Sequence, residues 1–313
     1  MVIVSGSLAF DQIMDFPGKF SEHIMPDKIH MLNISFLVDN LRKGFGGTAG
    51  NIAYTLSLLG IKTAIYGMAG GDFAPYKKFL DKYEVITDYI RVIDRFKTSA
   101  AFGITDSSDN QIWGFYTGAD SLCDQLSVKN IQVKIDFAVI APQNPRAMLK
   151  FAAEYQSRRI AYLFDAGMQL PYLTGENLLS AFEGAAIIIG NDYEIEVMER
   201  KTKIKDLHQN YPDKIVITTL GEKGSLISLN DKKVEIKSCS VKNASDPAGA
   251  GDAYRAGFVA GYLRKLPIET CGRMGSVASA YTVEKFGTTT HFFTINEFKR
   301  RFKSNYREDV ELN

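Results

Sequence analysis

Short β-branched and aliphatic runs recur along the chain at Val2 to Val4, Ala64 to Gly67, Phe137 to Ala141, Ile160 to Phe164, Ala186 to Ile189 and Ile215 to Thr219. Longer amphipathic stretches lie among and after them, at Ala49 to Leu59, Ala74 to Tyr83, Pro145 to Gln156, Asp192 to Arg200, Gly251 to Leu263 and Ile268 to Phe286. Strand-helix alternation joins parallel neighbours, so the pattern predicts an α/β fold: a central, mostly parallel sheet covered by helices. With 313 residues and 45% hydrophobic content the chain can bury one large core. It has no Pro/Gly-rich linker, so 1–313 is read as a single domain.

Two regions interrupt the rhythm. One spans roughly residues 12–44; the other pairs Ser99 to Thr105 with Gln111 to Tyr116 around the polar turn Asp106 to Asn110. Consecutive strands about such a turn predict a hairpin. A small β-sheet formed by segments near 12–44 and 96–119 is expected to lie over the main body as a lid. The faces that Trp113 and Phe102 occupy are left open.

Charge excludes some partners. Lys and Arg number 37 against 36 Asp and Glu, so no bulk field draws the chain to nucleic acid or an anionic membrane. The three cysteines are scattered without metal-ligand spacing and are expected to be reduced and buried. The first residues resemble a strand more than a signal peptide, and no apolar run approaches membrane-spanning length, so a cytoplasmic location is expected.

Four segments carry chemistry. Asp246-Pro-Ala-Gly-Ala-Gly-Asp252 places small residues before a helical run, where backbone N–H groups and the helix dipole favour an anion. Asp252 stands where it could reach a substrate hydroxyl, or where it could simply cap the helix. Gly44-Phe-Gly-Gly-Thr-Ala-Gly-Asn51 leads into another helix and loosely fits a dinucleotide-binding pattern, but no buried strand precedes it. Thr218-Thr-Leu-Gly-Glu-Lys-Gly224 ends a strand, where open α/β sheets hold ligands, and no Walker-type P-loop exists to cradle phosphates instead. Asn191-Asp-Tyr-Glu194 offers hard oxygen ligands suited to Mg²⁺, or a helix-capping pair.

In this order the segments resemble the signatures of the PfkB/ribokinase family, and Glu284-Lys-Phe-Gly-Thr288 continues the match. The resemblance implies a ribokinase-like three-layer sandwich and ATP- and Mg²⁺-dependent phosphorylation of an alcohol, with potassium activation left open. It implies Asp252 as catalytic base, an anion hole from Gly249, Ala250 and Gly251, and substrate contacts from Gly46, Gly47 and Asn51. It further implies nucleotide contacts from Asn191, Thr219, Gly221 and Gly224, and metal contacts from Glu194 and Asn191. The family often has Thr where this chain has Ala248, so a phosphate contact through that hydroxyl is missing.

Further stretches look like bacterial-type adenosine kinases: Gly6-Ser-Leu-Ala-Phe-Asp11, Phe16 to Ser21, Ser35 to Asp39 and Phe115-Tyr-Thr-Gly-Ala119. By that resemblance Asp11 binds ribose hydroxyls, Ser7 an adenine nitrogen, Phe115 stacks on the base and Gln169 touches the nucleoside. The expected reaction is adenosine to AMP, in purine salvage. A ribose or fructose-like sugar kinase and a non-catalytic nucleoside-binding protein are the alternatives, and monomer and homodimer are both open.

Overall fold

The computed structural model describes residues 1–25, 33–108 and 110–312. Residues 26–32 of the expected lid segment, and Asp109 of the polar turn, lie outside the described residues.

The strands are β1 Val2–Ser5, β2 Ala9–Asp15, β3 Asn40–Gly46, β4 Thr63–Ile65, β5 Gly67–Gly70, β6 Ile90–Ile93, β7 Ser99–Thr105 and β8 Gln111–Tyr116, followed by β9 Phe137–Ile140, β10 Tyr162–Asp165, β11 Ala185–Asn191, β12 Ile215–Thr219, β13 Ser225–Leu229 and β14 Lys232–Ile236. The helices are α1 Phe20–His23, α2 Thr48–Leu58, α3 Ala74–Lys82, α4 Pro145–Ser157, α5 Gly175–Gly184, α6 Asp192–Thr202, α7 Leu207–Asn210, α8 Ala250–Leu263, α9 Ile268–Val283 and α10 Ile295–Tyr306.

The central sheet runs β14-β13-β12-β11-β10-β9-β1-β4; its strands from β12 to β4 are parallel, and β13 and β14 add an antiparallel edge. Strand side chains alternate between two cores. Val4, Val139, Leu163, Ile187 and Ile217 pack toward α2, α8, α9 and α10. Ile3, Ala138, Phe164, Ile188 and Val216 pack toward α4, α5 and α6. Both faces are covered, which is why these strands read as continuous apolar runs rather than alternating ones.

Two boundaries differ from the sequence expectation for physical reasons. The run Ala64 to Gly67 splits, because the chain leaves the central sheet after Ile65 and Gly67 pairs with Ile90 in a separate β5-β6 ribbon. The helix expected to reach Phe286 stops at Val283, whose carbonyl is taken by the Ser245 and Asp246 N–H groups at 2.8 and 3.2 Å.

A second, four-stranded sheet runs β3-β2-β7-β8, with β2-β7 parallel and β7-β8 the expected antiparallel hairpin. The Phe20 N–H donates to the Asp106 carboxylate at 2.9 Å and ties α1 to the hairpin turn. No helix among the described residues is long and apolar enough to cross a membrane.

Candidate active site

A cleft of about 510 Å³ opens between the small sheet and the body, at the carboxyl ends of the central strands. Ser7, Asp11, Gly47, Asn51, Phe115 and Asp252 all line it. The two glycines before α2 make this approach feasible. A Cβ on Gly46 would stand 2.1 Å from Asp11 Oδ2, so glycine lets that carboxylate lie against the backbone. Gly47 has φ +84 and connects β3 to α2 in a conformation that side chains resist. Ser7 is partly engaged, its Oγ accepting from the Thr48 N–H at 3.2 Å. Asn51, in the first turn of α2, donates from Nδ2 to Asp252 Oδ2 at 2.8 Å, while its buried Oδ1 has no partner.

The pleat of the small sheet decides which aromatics meet the cleft. Phe115 and Trp113 stand opposite Ala101 and Gly103 and line the cleft, whereas Phe102 and Tyr116 line a cavity on the other face. The Trp113 indole rests on Gly103, where an added Cβ would be 2.7 Å from the ring, and its Nε1 donates to Gln111 Oε1 at 3.1 Å.

A second cavity, of about 470 Å³, lies between the β12-β13 turn and α8 and α9. Thr219, Gly221, Gly224, Ala250 and Gly251 line it, with Tyr254, Val241 and Val283 among its other walls. Gly221 and Gly224 hold φ +59 and +99, and a Cβ on Gly224 would fall 1.8 Å from the Ile236 carbonyl. The two cavities share a partition. Within Asp246 to Asp252, Pro247, Ala250 and Gly251 face the second cavity, and Asp246, Ala248 and Asp252 face the first. Gly249 makes the turn with φ +76, and the opening amides of α8, as in any helix, have no partner within it.

The carboxylates are strained as anions. Burial, reinforced by Asp246 and Asp252, pushes Asp11 up to about 7. Burial likewise pushes Asp252 up to about 6, opposed first by Arg255 and then by the Asn51 hydrogen bond. Glu194 is raised by burial and by the charge of Asp165.

Asn191 and Glu194 form a reciprocal capping box on α6, both bonds 2.8 Å, so the capping alternative is realised. Asn191 stands beside Thr219 across the β11-β12 ladder. Neither residue lines the two cavities, and no cluster of three metal-ligating side chains occurs among the described residues. Gly46 and Gln169 are also absent from the cleft wall, where Met168 takes the place beside Gln169.

Sequence reasoning overlooked Arg255 and Asp165. Their side chains are 8% and 2% exposed, with Arg255 Nε 2.5 Å from Asp165 Oδ2. The contact is an ion pair rather than an aligned hydrogen bond, since Nε has no hydrogen-bond partner. The available signal was a lone charge inside the otherwise uncharged run Ala253 to Gly261, because an arginine there is buried and must find a counter-charge.

A ribokinase-like sandwich with paired cavities divided by a glycine-rich helix start defines a phosphotransferase acting on an alcohol group. The family model for pfkB carbohydrate kinases matches residues 13–294, and the chain belongs to that family. A nucleoside kinase of Methanocaldococcus jannaschii is 30% identical over 276 residues, covering 87% of this chain and 89% of the relative. The structure of Burkholderia thailandensis nucleoside kinase in complex with inosine superimposes with a TM-score of 0.89 at 31% identity, covering 99% of both chains. The ADP-inosine complex of the same enzyme gives 0.87 at 32% identity, covering 99% of this chain and 98% of that one.

Proposed function

We propose that this protein is a nucleoside kinase that transfers the γ-phosphoryl group of ATP to a nucleoside 5′-hydroxyl, with adenosine the first expected acceptor and purine salvage the setting. The observation carrying this reading is the shared partition: Asp252 walls one cavity while Ala250 and Gly251 beside it wall the other. Asp11 supplies an acceptor for two ribose hydroxyls, Asn51 a further polar group on the same wall, and Phe115 an apolar face for a base. The inosine and ADP-inosine complexes of the Burkholderia enzyme support a nucleoside and an adenine nucleotide as the two ligands.

The acceptor oxygen attacks the γ-phosphorus in line as its proton passes to Asp252 and the bond to ADP breaks. Transfer draws mainly on positioning and charge stabilisation, with the amides of Gly249 to Gly251 at the start of α8 donating to the phosphoryl oxygens. One carboxylate and one amide oxygen are hard donors of the kind Mg²⁺ takes, and a divalent cation would relieve the Glu194 carboxylate, which burial and Asp165 disfavour as an anion. Glu194 and Asn191 would hold it, partly through water, and it would offset charge on the phosphates. The small sheet acts as the lid, made by the segments near 12–44 and 96–119, on a body that forms one domain with it.

The test is ADP release from ATP and Mg²⁺ with adenosine, inosine, guanosine, cytidine, ribose and fructose. Turnover confined to nucleosides supports the proposal. Preference for a free sugar overturns the acceptor, and silence throughout favours a binding protein without turnover.

A further inference from the structure

Arg255 lies one turn along α8 from Asp252 and is buried. Its guanidinium reaches two places at once. Nε meets Asp165 at the end of β10, and Nη1 lies so close beneath Gly251 that an added Cβ there would be 2.8 Å away. Gly251 walls the second cavity and Asp252 the first, so one side chain braces the partition from behind.

The surrounding charge is unbalanced. Asp165, Asp252 and Glu194 all act on Arg255, which those three carboxylates hold above the usual guanidinium range although burial alone would lower it. A pair serving only to fill the core would need a single carboxylate. Buried pairs of that kind are also commonly replaceable by apolar residues without loss of stability, which directs attention to what else the pair does.

We propose that Arg255, aimed by Asp165, is a positioning residue for phosphoryl transfer. It fixes the start of α8 so that the Asp252 carboxylate faces the acceptor hydroxyl while the amides around Gly251 face the transferring group. This rests on the kinase reading above. A side chain at Gly251 would accordingly have to displace the guanidinium from its place beside Asp165.

A double-variant cycle separates positioning from packing. Arg255→Met alone strands a buried Asp165 and is expected to be destabilised; Asp165→Asn/Arg255→Met removes both charges and is expected to regain most of the lost Tm. If Arg255 positions the partition, the double variant keeps KM for ATP and adenosine within about threefold of wild type while kcat stays roughly a hundredfold down. Recovery of both Tm and kcat in the double variant would overturn the proposal. Arg255→Lys decides the matter should the double variant not fold: it keeps the charge but not the planar fork, so kcat reduced by about tenfold or more supports positioning, and wild-type kcat refutes it. Asp252→Asn, measured alongside, separates the two levels. Undiminished turnover there sinks the base assignment and this inference with it, whereas an inactive Asp252→Asn beside a fully active double variant sinks this inference alone.

Discussion

The α/β body and the small sheet are built to different rules. In the body, β1, β9 and β10 are buried at every position, and their ends hold Asp165 and neighbouring groups against a packed core. In the small sheet, β8 is exposed along its whole length and carries Trp113 and Phe115 on the face that lines the open cleft. Rigid burial suits groups that must meet a transferring phosphoryl group to within a fraction of an ångström, and an exposed aromatic strand suits a surface that must admit and release a ligand. Damage to the body should therefore appear in kcat, and damage to the small sheet in KM.

The largest expected effect is in the body. Asp252→Asn should lower kcat by about 10³-fold and leave the adenosine KM within about threefold; steady-state kinetics showing the loss in KM instead would break the division. Next, Phe115→Ala should raise the adenosine KM by about tenfold or more, the usual weight of an aromatic platform beneath a base, with kcat little changed. Ribose, having no base, is the control: an equal loss with ribose would reduce Phe115 to a packing residue.

The smallest effect sharpens the boundary between the two regions, at Asp11. Its pKa of about 7 lies above the ordinary carboxylate value, so between roughly pH 4 and 7 the folded protein binds more protons than the unfolded chain, and stability falls as pH rises. Asp11→Asn should accordingly raise Tm by a few degrees at about pH 8 and by nothing near pH 4, as thermal melts would show. Under the proposed function binding runs the other way, since it is the ionised carboxylate that would accept the ribose hydroxyls. The wild-type adenosine KM should fall as pH rises from about 6 to 8, and the variant should lose that dependence.

What could be read from the sequence follows the same division. The body strands were legible because burial on both faces leaves apolar runs that nothing else explains, and the Asp246 to Asp252 turn because its small residues and helix start carry a phosphate-binding logic. The facing of Trp113 was not legible, as alternation marks two faces without saying which one meets a ligand. The pairing of Asp165 with Arg255 was hidden for another reason: only the fold brings the end of β10 beneath α8, and no local spacing records it. Helix α10 was missed although its signal was present, a Thr294/Glu297 capping box ahead of the buried Phe298 and Phe302.

Trp113 is the sole tryptophan in the chain, and it lies on the cleft wall with its indole N–H already engaged by Gln111. The molecule thus carries its own optical reporter at the ligand's doorstep. Intrinsic fluorescence, without any added label, reads a single known position, and a nucleoside entering the cleft as proposed should alter its emission more than a ligand confined to the second cavity.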